Sequence, residues 1–372
     1  MFSCIKDLLH RRKIAPSELD ILVVNCSVFN PTPSLAAAVI NQFRLKPTVI
    51  TYNLSGMGCS AGLLSIALVQ ELLQVYPGRT ALVVSLENIT ENVYLGNQRS
   101  MTIPNCLFRL GGAAVLLSNR RRHWWTARYE LQHLVRTHVG ADDEAYHCIF
   151  QQEDSGGIKG VKLDRVSAGV DHVAVADGGG CPLLASPFCP PLGGLRGALS
   201  EDMVHHLQRA LVRVAGRALL HNLLQLGPLI LPLAEQLRYL ASMVACRLSK
   251  AEAPMYRPSF DRAADHFCVH TGGRAVLDGM EKQLALHPAR LLPSRETLRR
   301  YGNTSSSSIW YVLAYIETHQ GVQRGDRVWQ LAFGSGFKVN SAIWRARRSI
   351  SRKHAAFTDM PTKPIIRLAS MP

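Results

Sequence analysis

A helix that is apolar on almost every side limits the folds open to this chain. It is predicted over 60–75, where the apolar residues are Leu63, Leu64, Ile66, Ala67, Leu68, Leu72 and Leu73. A helix of this kind is normally covered on all sides. The segment 48–52 before it predicts a strand, and a glycine-rich turn joins the two. We therefore expect a central helix enclosed by further layers.

Strands and helices alternate along the rest of the chain. Short apolar runs predict strands at 21–25, 80–85, 111–117, 127–137, 267–270 and 328–332. Helices are predicted from Ser34, the expected N-cap, to about 43, over 274–286, and again after Asn303. This alternation predicts an α/β fold with a largely parallel sheet covered by helices. The strands at 111–117 and 127–137 are expected to pair, and a final strand and helix are expected over 342–349.

The last third of the chain repeats the strand and helix rhythm of the first third, which indicates an ancient duplication. The predicted parts are an N-terminal half at 1–165, a Gly/Pro-rich insertion at 166–199, a helical linker at 200–255, a C-terminal half at 256–350 and a basic tail at 351–372. The insertion is predicted to be a loop because it has little periodicity.

Composition narrows the range of partners. The 372 residues are 47% hydrophobic, and the net charge is +15. This charge favours an acidic partner such as nucleic acid, an anionic membrane surface or a phosphorylated small molecule. No zinc finger, RNP signature or basic zipper accompanies the basic residues. We therefore predict no nucleic-acid partner, and the phosphates of a small-molecule substrate would use the same charge.

The cysteines and the apolar runs indicate the compartment. There are nine cysteines, with no Cys-x-x-Cys pair, which argues against a disulfide framework and a structural zinc site. A reducing compartment fits best. No uninterrupted run reaches the roughly eighteen apolar residues of a transmembrane helix. The nearest candidate, 219–248, is interrupted by charged residues and prolines and predicts amphipathic or buried helices around an apolar loop.

Cys59 lies where the strand at 48–52 gives way to the apolar helix. Backbone N–H groups at a helix N-terminus lack intrahelical partners and carry the positive end of the helix dipole. A thiolate there is stabilised, so the pKa of Cys59 is expected to fall. The alternative is an ordinary small buried cysteine.

His270 and Asn303 also lie at junctions with glycine-rich turns, where sites usually form in α/β proteins. A lone histidine is more often structural, and a lone asparagine is an ordinary helix cap. Together with an activated Cys59 they form a set that suits acyl transfer through a thiol. A papain-like protease uses the same residue types, but the flanking sequences do not look like one.

These flanking sequences resemble the plant-type 3-ketoacyl-CoA synthases, the condensing enzymes of very-long-chain fatty acid elongation. The matching segments are 53–62 (NLSGMGCSAG), 21–35 (ILVVNCSVFNPTPSL), 87–90, 101–119, 136–143 (RTHVGADD), 226–237 (LGPLILPLAEQL), 266–278, 302–311 and 325–345. The resemblance covers nearly the whole chain apart from the insertion and the tail. It implies a thiolase-like fold, in which two similar α/β halves stack into αβαβα layers.

The resemblance also implies roles for the candidate residues. Cys59 would accept the acyl group of a long-chain acyl-CoA, and His270 and Asn303 would donate to the enolate oxygen formed when malonyl-CoA loses carbon dioxide. The Cys59 backbone N–H and the turn Gly334-Ser335-Gly336 would bind the tetrahedral oxyanion. No metal or redox cofactor is required.

Two further residues are weaker candidates. His266 lies four residues before His270 and could support it, although a structural role is the simpler interpretation. Arg274 could hold a carboxylate or a phosphate, although an ordinary ion pair is the simpler interpretation.

Partners and location follow from the same resemblance. We expect a homodimer, contact with other elongase-complex enzymes, and association with the endoplasmic reticulum membrane. The segment 219–248 would line an acyl tunnel or face the membrane, with core packing as the simpler account. The segment 120–125 (RRRHWW) has two equally supported interpretations. It is either a membrane interface or CoA phosphate site, or the solvated tip of a hairpin.

The sequence departs from the family pattern in three places. Relatives usually begin with two membrane-spanning helices and a first strand, so an unpaired sheet edge is expected here. The segment 166–199 has no counterpart and is either a real loop or a mistranslated intervening sequence. Val339 stands where relatives commonly have cysteine, a change expected to be tolerated. The alternative functions are a chalcone-synthase-like polyketide synthase and a catalytically inactive, membrane-associated paralogue.

Overall fold

A computed structural model describes residues 1–163, 201–249, 256 and 258–358. The predicted insertion at 166–199 and the tail beyond 358 lie outside the described residues. The α-helices are α1 (Phe2–Arg12), α2 (Leu35–Phe43), α3 (Ala61–Val75), α4 (Arg99–Leu107), α5 (Asp143–His147), α6 (Glu201–Ile230), α7 (Leu233–Ser249), α8 (Arg274–Gln283), α9 (Leu292–Tyr301) and α10 (Ser308–Tyr315). The strands are β1 (Ile21–Asn25), β2 (Ile50–Leu54), β3 (Thr80–Glu87), β4 (Gly111–Ser118), β5 (Tyr129–His138), β6 (Ile149–Glu153), β7 (Lys159–Leu163), β8 (His266–Val269), β9 (Arg327–Gly334) and β10 (Lys338–Ala346).

Two four-stranded sheets form the body of the protein. The first has the order β2-β1-β3-β4, in which β4 is antiparallel to β3 and the other pairs are parallel. The second has the order β5-β10-β9-β8, in which only β8 and β9 are parallel. The prediction of a largely parallel sheet therefore holds for the first sheet and is wrong for the second. A turn as short as the one between β9 and β10 can join only antiparallel strands.

The predicted pairing of the strands at 111–117 and 127–137 is also wrong. β4 pairs with β3, and Thr80 lies opposite Ser118. β5 instead pairs with β10 in the second sheet, and Lys338 lies opposite His138. The connection between β4 and β5 carries the chain from one sheet to the other. Local apolar patterning specifies a strand but not its partner.

Helices cover both sheets and fill the space between them. α1 and α2 pack on one face of the first sheet through a cluster that includes Val24. α3 and α10 lie between the sheets, where Ile66 and Val312 share one cluster. α6 and α8 pack on the outer face of the second sheet, where Met280 and Leu331 share another. These five layers give the expected αβαβα arrangement.

The central position expected for the helix after Cys59 is confirmed. Leu63, Ile66 and Val69 of α3 are fully buried. Among the described residues, Gly58–Val75 is the segment long and apolar enough to cross a membrane by length and composition. It displaces 219–248 as the nearest candidate. Burial between two sheets accounts for its apolar character, because a core helix has the same composition.

The two halves are similar, as expected. In the first, β1 is parallel to β3, which is antiparallel to β4; in the second, β8, β9 and β10 repeat this order. β5 lies on the far side of β10, whereas β4 is an edge strand of its sheet. β4 borders a wide groove. The exact domain boundaries remain predictions.

The predicted N-cap of the second helix is confirmed. Ser34 caps α2, and its hydroxyl accepts a hydrogen bond from the Ala37 N–H at 3.1 Å. Helices over 219–248 are confirmed as α6 and α7. The strand predicted from 342 is confirmed as the end of β10, but the helix predicted to follow it by 349 is wrong, because β10 continues to Ala346 and the chain then bends. The Ile350 N–H donates to the Val322 carbonyl at 2.7 Å, which holds this stretch extended along its neighbour.

Candidate active site

One cavity brings the three main candidates together. It has a volume of about 250 Å³, and Cys59, His270 and Asn303 all line it. Cys59 lies in a 3-10 turn (Gly58–Ser60) that leads into α3, and His270 directly follows β8. Asn303 follows α9 and precedes the turn that starts α10. The site therefore forms where the two halves meet, at the N-terminal ends of the two central helices.

The Cys59 thiol lies in a crowded part of the site. Its side chain opens into the cavity, where the residue is partly exposed although protein atoms are dense around the sulfur. Burial raises the pKa of Cys59 to about 11, and the nearby Glu87 carboxylate adds to the rise. Hydrogen bonds from Ser305 and Asn303 and the Cys59 backbone oppose it only in part. The expectation of a lowered pKa is wrong because desolvation of the thiolate outweighs the helix N-terminus.

His270 is buried, with 3% of its surface exposed. Its backbone N–H donates to the Leu331 carbonyl at 2.9 Å, which extends the pairing of β8 with β9. Its ring Nδ1 lies 2.6 Å from the Ser308 hydroxyl. Burial lowers the pKa of His270 to about 3, so the ring is neutral at physiological pH. When the Ser308 hydroxyl donates to Nδ1, the ring proton is on Nε2 and is available for donation into the cavity.

Asn303 is fixed from both ends. Its backbone N–H donates to the Leu107 carbonyl at 2.7 Å, and its carbonyl accepts from the Arg109 N–H at 2.9 Å. Its side-chain oxygen accepts from the Ser305 N–H at 2.8 Å. With the oxygen occupied, the amide N–H₂ is the group left for the thiol and the cavity. Asn303 therefore forms the local turn typical of a helix cap and also presents its amide N–H₂ group to the thiol.

Sequence reasoning missed the serines that hold these groups. Ser305 is buried and has a φ of 54°, in the left-handed region that non-glycine residues rarely adopt. Such backbone strain costs about 1–3 kcal/mol and is typical of functional sites. Ser305 orients Asn303 and contacts Cys59, while Ser308 orients His270. The signal was the run of four serines after Asn303-Thr304.

The turn Gly334-Ser335-Gly336 lies against the Cys59 turn. Gly334 and Ser335 line the cavity, and Gly336, with a φ of 98°, completes the turn between β9 and β10. A Cβ atom at Gly58 would lie 2.7 Å from the Ser335 backbone nitrogen. Two backbone segments can approach this closely only because Gly58 has no side chain.

The two weaker candidates lie away from the cavity lining. His266 begins β8, at the end opposite His270, and its Nε2 lies 2.9 Å from the Asp326 carboxylate. Arg274 is half-exposed, and its guanidinium lies 3.8 Å from the Asp278 carboxylate. Their nearest groups are thus carboxylates rather than the reacting centre.

The rest of the cavity wall is mostly apolar and is formed by α4, α6 and the strand pair β6-β7. The residues that contribute to it are Ile103, Pro104, Leu107, Ile149, Phe150, Val161, Leu163, Leu211 and Ala215. Such a wall suits an alkyl chain rather than a sugar or a peptide backbone. Within the described ranges, no group of three or more His, Cys, Asp or Glu side chains could hold a metal ion.

The basic segment at 120–125 lies outside this cavity. Arg120 contacts the Asp20 carboxylate at 2.8 Å, and Arg122 pairs with Glu18. The Arg347 guanidinium lies 3.4 Å from the ring centre of Trp124, and Trp125 is 80% exposed. Part of this segment is therefore structural, while Trp125 remains open to solvent.

The sequence matches a known family over most of its length. The model of the family described as "FAE1/Type III polyketide synthase-like protein" matches residues 1–176 and 200–248. The chain belongs to this family. Residues 255–347 match the C-terminal domain of chalcone and stilbene synthases. This second match covers the half of the chain that carries His270 and Asn303.

Several curated relatives of this chain are plant proteins. The chain is 45% identical to "3-ketoacyl-CoA synthase 5" of Arabidopsis thaliana, over 94% of this chain and 62% of the relative. It is 48% identical to "3-ketoacyl-CoA synthase 2" of the same plant, over 94% of this chain and 58% of the relative. It is 45% identical to "Probable 3-ketoacyl-CoA synthase 20" of Oryza sativa subsp. japonica, over 97% of this chain and 61% of the relative. The chain thus spans about three fifths of the length of these relatives.

Solved structures of this family's fold are similar at low identity. The type III polyketide synthase domain of Steely1 from Dictyostelium gives a TM-score of 0.61 at 18% identity, covering 89% of this chain and 71% of that one. Germicidin synthase from Streptomyces coelicolor gives 0.62 at 17% identity, covering 92% and 70%. These likenesses establish the thiolase-like fold and nothing about the substrate.

Proposed function

We propose that this protein is a 3-ketoacyl-CoA synthase, which condenses malonyl-CoA with a long-chain acyl-CoA. The observation that carries the proposal is the cavity in which Cys59, His270 and Asn303 meet beside an apolar wall. The relatives that are 45–48% identical and named 3-ketoacyl-CoA synthases support it. Each residue's role follows from its chemistry.

The first step loads the acyl chain. The Cys59 sulfur attacks the thioester carbonyl of the acyl-CoA, a new carbon–sulfur bond forms, and CoA leaves with the proton that Cys59 gives up. Because the pKa of the thiol is about 11, only a small fraction is thiolate at neutral pH. A buried neutral thiol has the advantage of resisting unwanted reaction before the substrate arrives.

The second step generates the nucleophile. Malonyl-CoA loses carbon dioxide when its carbon–carbon bond breaks, and the electron pair passes to the thioester oxygen as an enolate. The His270 Nε2–H and the Asn303 N–H₂ donate to this oxygen. A neutral histidine suits this task because its proton is donated as a hydrogen bond and is not released.

The third step forms the product. The enolate carbon attacks the Cys59 thioester, and the tetrahedral oxyanion is stabilised by backbone N–H groups of Cys59 and of the Gly334-Ser335 turn. Collapse of this intermediate expels the Cys59 thiolate, which takes a proton, and releases 3-ketoacyl-CoA. These steps require no metal or redox cofactor.

The proposal extends to partners and location. We infer a homodimer that works with other elongase enzymes at the endoplasmic reticulum membrane, as the resemblance to the plant-type 3-ketoacyl-CoA synthases implies. A chalcone-synthase-like polyketide synthase is the second candidate, because structural neighbours of the fold belong to that class. The two functions differ in the number of malonyl units added before release.

The test is intact-protein mass spectrometry after incubation with stearoyl-CoA. We expect a stearoyl adduct on the wild type and on Cys106→Ala, which removes an exposed cysteine, but none on Cys59→Ala. His270→Ala and Asn303→Ala should keep the adduct and lose condensation with malonyl-CoA by at least about a hundredfold. A single-extension 3-keto product supports the elongase, and a multiply extended lactone supports the polyketide synthase. An adduct that persists on Cys59→Ala would refute the assignment of the nucleophile.

A further inference from the structure

Ser27 contacts the loop that carries Cys59 at two points. Its side-chain hydroxyl donates a hydrogen bond to the Gly58 carbonyl at 3.2 Å. Its own carbonyl accepts a hydrogen bond from the Gly56 N–H at 3.1 Å. Ser27 lies two residues beyond the end of β1 and lines the catalytic cavity, whereas Gly58 begins the 3-10 turn that leads into α3. The chain after β1 is therefore bonded to two places in the loop before Cys59.

The bond to the Gly58 carbonyl is important because of the peptide group to which this carbonyl belongs. The Gly58 carbonyl and the Cys59 N–H are the two ends of one planar peptide unit, so a donor that fixes the carbonyl also fixes the direction of the N–H. The same carbonyl accepts from the Ala61 N–H, so both of its lone pairs are used. Hydrogen bonds in series polarise one another, which makes the N–H at the far end of the peptide a stronger donor.

The Cys59 N–H lies on the side of its own sulfur. It forms a hydrogen bond to the thiolate, which is one of the contacts that oppose the rise in the pKa of Cys59. When a substrate thioester bonds to this sulfur, its carbonyl oxygen gains negative charge beside the same N–H. The carbonyl and the N–H of a trans peptide point in opposite directions. Ser27 therefore acts from behind the peptide that presents the oxyanion donor.

A buried carboxylate holds Ser27 in place. Glu87 is the last residue of β3 and is 2% exposed. Its Oε2 accepts from the Ser27 N–H at 3.2 Å, and its Oε1 accepts from the Val28 N–H at 3.1 Å and from the Cys26 thiol at 3.2 Å. A carboxylate accepts at both oxygens, so this one side chain orders three consecutive residues after β1.

We propose that Ser27 is a positioning residue for the oxyanion donor at Cys59, and that Glu87 acts through Ser27. The inference deepens the proposed function and rests on it, because an oxyanion develops beside Cys59 only when its sulfur exchanges an acyl group. Neither Ser27 nor Glu87 forms a bond to the substrate or transfers a proton. Together they fix the direction and the polarity of one backbone N–H before the substrate arrives, which is how preorganised donors favour a transition state.

The contacts of Glu87 do not suit a general base for the thiol. Both carboxylate oxygens already accept from the segment after β1. The side-chain hydrogen bonds of the Cys59 thiol come instead from Ser305 and Asn303. The Glu87 charge also raises the pKa of Cys59, which opposes formation of the thiolate. Its favourable contribution to the reaction is therefore the order that it imposes on Ser27.

The test compares two reactions of the same thiol. Stearoyl-CoA acylates Cys59 through a tetrahedral oxyanion, whereas iodoacetamide alkylates the sulfur by direct displacement of iodide, without an oxyanion. Both reactions need the thiolate and access to it, so the ratio of the acylation rate to the alkylation rate isolates the effect of the oxyanion donors. Both rates are measured on the full chain, as adducts at Cys59, by mass spectrometry of its peptides.

The variants separate the Ser27 hydroxyl from the shape of the side chain. Ser27→Ala and Ser27→Val should lower the ratio by about tenfold, which is less than the roughly hundredfold effect of losing a whole oxyanion donor. Ser27→Thr keeps the hydroxyl on a side chain with the shape of valine, so its ratio should be close to that of the wild type. Glu87→Gln should also lower the ratio, because an amide has only one oxygen with which to accept.

The matched control is Ser65→Ala. Ser65 is a buried serine of α3 whose hydroxyl donates to the Ala61 carbonyl at 2.9 Å. This bond is of the same kind as that of Ser27, but its peptide does not carry the Cys59 N–H. Ser65→Ala should therefore lower the Tm, measured by thermal unfolding, and keep the wild-type ratio.

Three results would overturn the proposal. The first is a wild-type ratio in Ser27→Ala, and the second is a ratio in Ser27→Thr as low as that in Ser27→Val. The third is an equal fall in Ser65→Ala, since the loss of any buried serine bond would then suffice. A wild type whose Cys59 reacts with iodoacetamide but not with stearoyl-CoA would instead refute the proposed function.

Discussion

At the scale of single residues, the site depends on how closely two turns approach. Gly56 and Gly58 both have positive φ angles, 66° and 67°, within one loop. A Cβ at Gly56 would meet nothing within 4 Å, whereas one at Gly58 would overlap the Ser335 nitrogen and hydroxyl at 2.7 Å. Substitutions at the two glycines therefore separate the effect of backbone strain, which both positions share, from displacement of the Gly334-Ser335-Gly336 turn.

We predict that Gly58→Ala lowers kcat far more than Gly56→Ala does. Both variants should lose about 1 kcal/mol of folding free energy from the positive φ. Only Gly58→Ala pushes Ser335 away from Cys59, so its kcat should fall by about a hundredfold, the typical effect of losing one oxyanion donor. Steady-state kinetics and urea unfolding of both variants check this. Equal kcat values in the two variants would remove the Gly334-Ser335-Gly336 turn from the mechanism.

At the scale of elements, one buried carboxylate ties the first sheet together. Asp20 lies just before β1 and is 4% exposed. It contacts Lys46 at 2.5 Å, Arg79 at 3.2 Å and Arg120 at 2.8 Å, and it accepts from the Thr80 N–H at 2.8 Å. Burial alone would raise the pKa of Asp20, but these hydrogen bonds outweigh it and hold the pKa well below its usual range. The segments before β2 and β3 and after β4 thus meet at one charge.

We predict that Asp20→Asn destabilises the protein by about 2 kcal/mol at pH 7, because it leaves three cations without their counterion; the partial exposure of those cations reduces the effect below that of a fully buried pair. A carboxylate whose pKa is lower in the folded state than in the unfolded state stabilises the protein at pH values above the unfolded pKa, which is near 3.8. This stabilisation is lost as the pH falls through the folded pKa. The gap between the variant and the wild type should therefore shrink below about pH 4. Urea unfolding at pH 7 and pH 3 measures it.

The matched control is Asp7→Asn, which removes an exposed pair with Arg11. It should change the free energy of unfolding by less than about 0.5 kcal/mol at either pH. An Asp20→Asn effect as small as that of the control, or one that grows in acid, would contradict the assignment.

At the scale of the whole molecule, the two halves touch through the starts of their central helices. A Cβ at Gly62, in the first turn of α3, would lie 2.5 Å from the Ser306 carbonyl oxygen, just before α10. This approach sets the separation of Cys59 from Asn303, since each lies three residues before one of these contact points. The way in which the two halves pack together therefore also sets the geometry of the site.

We predict that Gly62→Ala costs about 1–3 kcal/mol of stability through overpacking and also slows acylation and condensation. Gly112→Ala is the control, because a Cβ there meets Leu86 at 3.7 Å, an ordinary contact. Thermal unfolding followed by the acyl-adduct assay compares them. If the two variants have the same Tm and the same activity, the halves are not held at Gly62.

Much of this architecture could be predicted from local patterns. The strand at Ile21–Asn25, the cap at Ser34 and the enclosed helix after Cys59 all follow from short-range periodicity and turn chemistry. Strand partners could not be predicted in this way. β4 and β5 are neighbours in sequence but belong to different sheets, because pairing depends on which faces are buried after the halves assemble.

The sequence by itself determined which residues are the candidates for the chemistry: a cysteine, a histidine and an asparagine, each at a glycine-rich junction. Only the tertiary structure decided their state. Enclosure by both halves raises the pKa of Cys59 and lowers that of His270, opposite to what the helix N-terminus alone predicts for the thiol. The serines that orient the site emerge only from packing around Asn303 and His270. Desolvation is a collective property of every surrounding layer, so it cannot be read from the residues adjacent in sequence.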